Sequence, residues 1–219
     1  MNASHVICID FEPGIPGHEI AAHVAKALRL PLLDREIVAR ATAKLNLPER
    51  LVARLESEPD HPIERWLLAA AEGDQALGMV GRTTPQSDPF MQPRRPLMHA
   101  IREAIEEVAT QPCVIANHQA AYALDGRREA VGVLLCADRA QRQLWLREQP
   151  PARSDDRDRP VDELDRAKRT YVKQAYGRRW PDSHIYHLAI DVGRLPLERI
   201  AFLVCEFARS TRPVGDFTQ

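Results

Sequence analysis

The sequence predicts an α/β fold built on a three-layer, doubly wound, mostly parallel sheet, and three observations carry that expectation. Short apolar runs recur at 6–9, 112–116 and 130–136, the character of strands covered on both faces, and 185–192 reads as a last strand. Between them lie segments such as Ile20, Ala21, Val24, Ala25 and Leu28, whose 3.6-residue period marks helices with one buried stripe. Strand and helix therefore alternate, which is the pattern of crossover units in a parallel sheet.

The first strand, 6–9, runs into a Gly/Pro loop and then into an amphipathic helix from about His18 to Leu28. Strand, glycine loop and helix start form a layout in which unpaired N–H groups can hold a phosphate. A working phosphate loop, G-x-x-x-x-G-K-[ST], supplies backbone donors, a fixed cation and a hydroxyl for Mg²⁺. Here Gly14 and Gly17 are only three apart, and Pro13 and Pro16 each remove one donor. His18 stands at the cation position and Glu19 at the hydroxyl position. Two readings of Gly14, Ile15, Pro16, Gly17, His18 and Glu19 stay open: an altered phosphate cradle, or a plain strand-to-helix turn.

The following segments take simple roles. Residues 30–33 suit an edge or second strand opening at its proline, and Asp34 caps a helix to about Leu45. A helix restarts at Pro48. From about 57 to 96 the composition turns Gly- and Pro-rich, the expected place of a mobile, acceptor-side insert or a surface loop. Residues 97–109 form a helix with Leu97, Ile101, Ala104, Ile105 and Val108 on one face, and 112–116 is a buried strand. A short helix covers 119–124, a strand 130–136, and a helix capped by Asp138 runs through Leu146. A flexible segment, 148–160, carries Arg153, Arg157 and Arg159 among aspartates, and the helix 161–176 carries Lys168. Together, about 148–170 reads either as a lid over phosphates or as a solvated charged surface. A last strand, 185–192, a last helix, 196–209, and a loose tail, 213–219, complete a single domain over 1–212.

Composition narrows the function classes. A formal net charge of −1 gives no broad attraction to nucleic acid or anionic membrane. Basic stretches lack interleaved aromatics, which leaves nucleic-acid binding unsupported. No apolar run reaches the roughly 20 residues of a membrane span, and the N-terminus lacks a signal peptide's basic head and apolar core. Cys8, Cys113, Cys136 and Cys205 are far apart in apolar runs, so buried, reduced thiols of a cytoplasmic protein are expected. No metal-ligand spacing stands out.

At the level of motifs the chain resembles the cytidylate kinase-like family. That family opens approximately V-I-T-I-S-R-E-F-G-S-G-G-R-E-I, and this chain aligns without a gap as Val6-Ile-Cys-Ile-Asp-Phe-Glu-Pro-Gly-Ile-Pro-Gly-His-Glu-Ile20. Leu30-Pro-Leu-Leu-Asp34-Arg-Glu36-Ile37 resembles I-P-F-Y-D-K-E-I, and Cys113-Val-Ile-Ala-Asn-His-Gln-Ala-Ala-Tyr-Ala-Leu124 resembles C-V-I-V-G-R-G-A-D-Y-I-L. Asp165 and Tyr171 fit a D-x-x-R-x-x-Y helix, and Trp180 with Tyr186 fit the segment after it. The resemblance spans about 6 to 207.

It implies the nucleotide-kinase variety of the P-loop nucleoside-triphosphate hydrolase fold, with phosphoryl transfer from a nucleoside triphosphate to a nucleoside monophosphate or similar acceptor. On that basis Gly14, Ile15, Pro16, Gly17, His18 and Glu19 would hold ATP, with Mg²⁺ if the protein is active. Asp34, Asn117 and His118 would lie at the acceptor, and His18, Lys168, Arg153 and Arg157 would act in transfer. The expected partner is a nucleotide or other small anion, and a homo-oligomer stays open as an assembly. Departures gather at the phosphate-handling positions: His18 and His118 replace arginines, Pro16 a glycine, Ile15 a serine, Lys168 the lid arginine, and His187 an aspartate. The implied activity is therefore weak or lost, and a non-catalytic nucleotide-binding or regulatory module on the same fold, a pseudokinase, is the alternative.

Overall fold

Along the chain run β1 (Val6–Phe11), α1 (Gly17–Leu28), β2 (Leu32–Leu33), α2 (Arg35–Lys44) and α3 (Arg94–Val108). They are followed by β3 (Cys113–Ala116), α4 (Ala120–Ala123), β4 (Ala130–Cys136), α5 (Arg139–Glu148), α6 (Val161–Tyr176), β5 (Leu188–Asp191) and α7 (Leu197–Ser210). The computed structural model describes residues 6–45, 94–148 and 159–211. The insert expected over about 57–96 lies outside these residues apart from the start of α3, and so do Arg153, Arg157 and the tail.

The sheet has five strands in the order β2-β3-β1-β4-β5, all parallel. β1 lies at its centre, with Val6 opposite Cys113 on one side and Ala130 on the other. Every residue of β1 is buried, because successive side chains alternate between two covered faces. Val6 and Cys8 join Ile37, Ala41, Ile101 and Ile105 on the α2–α3 side. Ile7, Ile9 and Phe11 join Ile20, Val24, Ile200 and Val204 on the α1–α7 side. Each such Ile or Val contributes roughly 1.5–3 kcal/mol by leaving water, which is why the apolar runs in the sequence are unbroken.

The limits of β1 and β5 and the burial of one cysteine are among the points that differ from expectation. β1 continues through Asp10 to Phe11, so a carboxylate enters the sheet with 0% exposure. β5 begins at Leu188 rather than 185 and ends before Val192, which opens a short 3₁₀ turn. Ile185 is held in a turn by its N–H to Asp182 O, whereas His187 donates its N–H to Gly132 O and accepts the Gly132 N–H at Nδ1. Cys8, Cys113 and Cys205 are buried free thiols, but Cys136 is only half-buried.

Burial raises the pKa of Cys113 to about 11, pushes Cys8 well above its usual value, and raises Tyr122 to about 12. These groups keep their protons in the folded chain at a pH where the unfolded chain has lost them. Stability from this source is full below about pH 9 and falls as pH rises toward 11–12. The urea midpoint should therefore be lower at pH 10.5 than at pH 8. An unchanged midpoint would mean that these thiols and the phenol ionise in the folded protein.

Candidate functional site

The loop between β1 and α1 is shaped by its own hydrogen bonds. Ile15 donates its N–H to Glu12 O at 3.2 Å, and Gly17 donates its N–H to Ile15 O at 2.8 Å. Pro16 sits between them at φ −74°, ψ 52°, close to an inverse γ-turn. Two of the loop's amides are thus bound inside the loop, and two more positions are prolines without an N–H. The Ile15 side chain turns into the core at 3% exposure. Both glycines answer to packing: a Cβ at Gly17 would overlap the Phe11 ring, and one at Gly14, where φ is +93°, would overlap the Arg142 carbonyl.

One residue beyond the turn, His18 lies edge-on to the Phe11 ring, with centroids 4.8 Å apart. Its Nδ1 is 3.3 Å from Asp34 Oδ2, while His118 Nε2 is 2.6 Å from Asp34 Oδ1. One carboxylate therefore bridges two imidazoles carried by the start of α1 and by the turn after β3. Asp34 is at the N-cap of α2 but makes no side-chain cap bond there; its carboxylate serves the histidines instead. Among the described residues no group of three or more His, Cys, Asp or Glu is arranged to hold a metal ion.

His118 is placed by an unusual backbone. Asn117, His118 and Gln119 are consecutive left-handed residues with φ of 63°, 54° and 51°, each a position that costs a side-chain-bearing residue about 1–2 kcal/mol. The turn is over-determined by polar contacts. Asn117 donates its N–H to Ile9 O, Gln119 Nε2 donates to Asn117 Oδ1, and all three side chains are buried.

Beside this turn Lys168 reaches in from α6. Its ammonium donates to Phe11 O at 2.8 Å and to Asn117 Oδ1 at 3.0 Å, and lies 5.0 Å from the Trp180 ring centre and 5.7 Å from that of Phe11. Asp10 precedes Phe11 in β1, and Tyr186 donates its hydroxyl to Asp10 Oδ2 at 3.1 Å. Burial, with the Asp10 charge behind it, pushes the Tyr186 phenol far up.

Arg142 of α5 fixes the outer side of the loop. Its Nη1 and Nη2 donate to the two oxygens of Asp165 on α6, both at 2.9 Å. Nη1 also donates to Pro13 O at 3.1 Å, and Nε lies 3.2 Å from Glu12 Oε2. Glu12 accepts the Ala137 N–H as well. Loop, β4–α5 junction and α6 are thus joined through one buried guanidinium.

The structure brings His18, Asp34, Asn117, His118 and Lys168 to the carboxyl ends of β1 and β3, beside Gly14, Ile15, Pro16, Gly17 and Glu19. His187 is used against the β4 backbone. Sequence reasoning missed Asp10 and Arg142. The signal for Asp10 was an acid ending an apolar run; for Arg142 it was the i, i+4 pairing with Leu146, the two buried residues of α5.

Comparison with known proteins follows the same lines. The fold is similar to the solved structure of an uncharacterized protein from Eubacterium ventriosum, with a TM-score of 0.61 at 15% identity, covering 95% of this chain and 99% of that one. At that identity the likeness speaks for the fold alone. No curated protein matches the chain. A sequence model described as the cytidylate kinase-like family matches residues 6–194. The chain belongs to the cytidylate kinase-like family.

Proposed function

We propose that this chain is a cytidylate kinase-like protein in which phosphoryl transfer is lost or very slow, and that it serves as a binding module for a nucleotide or small anion. The observation that carries this reading is the γ-turn at Pro16, which binds the Gly17 N–H to Ile15 O inside the loop. The family's usual cofactors, ATP and Mg²⁺, do not fit these residues. Pro13 and Pro16 offer no donor, Ile15 and Gly17 donate within the loop, and Lys168 holds protein acceptors.

Losing one preorganised donor typically costs about a hundred- to a thousandfold in turnover, and several such losses need not add. A coupled assay with ATP, Mg²⁺ and CMP, UMP or dCMP should therefore give turnover far below the usual range of about 1–1000 per second. Turnover inside that range sinks the proposal. The double change Pro16→Gly with His18→Arg restores one loop donor and a fixed cation, and calorimetry should then show tighter ATP binding than in the parent. No gain would put the defect at the Asn117–His118 turn or at Lys168.

A further inference from the structure

An oxyanion already stands between His18 and His118, and it is the protein's own. Asp34 has given up the capping position open to it at α2 and lies between His118 Nε2 and His18 Nδ1. His118 forms the floor, with a side chain only 2% exposed, while Asp34 and His18 are 26% and 22% exposed at the rim. A carboxylate at the rim can swing out on its own side-chain torsions without moving α2. The floor is rigid by contrast, because the left-handed turn is tied to Ile9 O and, through Asn117, to Lys168.

We propose that His18 and His118 form a phosphate site that Asp34 occupies in the resting protein, and that a phosphate or phosphate monoester binds by displacing the Asp34 carboxylate. This rests on the reading of the chain as an anion-binding module and adds what gates it. The chemistry is an exchange of one oxyanion for another between two imidazolium donors, at the start of a 12-residue helix whose dipole also favours negative charge. The charged and titratable groups on the surrounding elements include Asp10 in β1 and Glu12 just after it, Glu19 and His23 on α1, Arg35, Glu36 and Arg40 on α2, and Asp165 and Lys168 on α6. Lys168 meets the site through Asn117, and Glu36 accepts the Asp34 N–H at 3.3 Å. Bound phosphate favours the charged imidazoles. Affinity is therefore greatest below an ordinary histidine pKa of about 6.5 and weakens as pH rises through the bound-state value.

The test is titration with inorganic phosphate, followed by histidine ¹H–¹⁵N spectra and calorimetry at about pH 5.5. Asp34→Asn should bind phosphate at least about tenfold more tightly than the parent, as expected if the displaced state is about a tenth populated at rest. Asp34 makes no side-chain cap bond at α2, so its replacement by asparagine removes none. His118→Asn, which keeps a residue tolerant of left-handed backbone, and the rim variant His18→Ala should both lose the gain when combined with Asp34→Asn. A phosphate monoester and free phosphate titrated in parallel separate the two sources of the ligand, and either one binding tighter to Asp34→Asn supports the site. Unchanged or weaker phosphate binding by Asp34→Asn, or binding indifferent to both histidines, overturns the proposal. The outcome is independent of turnover: a kinase-active parent would defeat the binding-module reading while leaving the phosphate result to stand or fall alone.

Discussion

Replacing Arg142 by Met is expected to destabilise the fold by about 3–5 kcal/mol, the range for removing one partner of a buried ion pair. The reason is what remains behind. Asp165 and Glu12 are only 10% and 18% exposed, and both lose the guanidinium that faces them. Asp165 would keep Arg169 at 3.8 Å, an arginine more than half exposed and worth little. Pro13 O and Ala137 O lose a donor as well. A loss of that size is a large share of the stability of an ordinary domain. It should appear as a fall of roughly 10 °C in Tm for a chain of this length. Arg142→Lys keeps the charge but not the planar fork that meets both Asp165 oxygens, so it should recover only part of the loss. The double variant Arg142→Met with Asp165→Leu removes the stranded carboxylate along with its partner, and should be more stable than Arg142→Met alone. A single-variant loss under about 1 kcal/mol in urea titration would mean that Arg142 does not hold loop and α6 together.

The sheet was legible because burial on both faces leaves an unbroken apolar trace, and β1, β3 and β4 lie where their runs stand in the sequence. The limits of β5 were misjudged for a physical reason. Ile185, Tyr186 and His187 directly precede the strand in sequence, yet they serve a turn, the Asp10 carboxylate and the Gly132 backbone. In the loop, sequence could count the donors that proline removes. It could not see that Ile15 would face the core or that Gly17 would close a γ-turn, since both depend on the path of the chain over Phe11 and Arg142. Asp34 was expected to cap α2 and is drawn instead to two histidines from distant parts of the chain. The inward position of Lys168, by contrast, was written in the helix period. Val161, Leu164, Asp165, Lys168, Tyr171 and Val172 fall on one buried stripe, and the prior that charges lie on a solvated face hid it.

Lys168 offers the sharper test of what became of the lid. A lysine that clamps phosphates contributes little to folding and much to ligand binding. Lys168 is 4% exposed, with its ammonium bound to two protein acceptors and near two aromatic faces. Lys168→Met keeps most of the stem but leaves Phe11 O and Asn117 Oδ1 without their donor, at a cost of about 1–3 kcal/mol for each group left unsatisfied. Loss of a desolvated cation–π contact adds to it. The expected outcome is a fall of about 2–4 kcal/mol in unfolding free energy, together with an ATP affinity no weaker than that of the parent. Lys168→Arg distinguishes charge from fit: a guanidinium is larger and planar, and the slot between Phe11 and Trp180 is filled by a compact ammonium, so arginine should not restore parental stability. If Lys168→Met instead leaves stability within about 0.5 kcal/mol of the parent and weakens ATP binding tenfold or more, then the ammonium leaves its protein partners to meet the ligand. The α6 lysine would in that case be a working clamp rather than a structural cation.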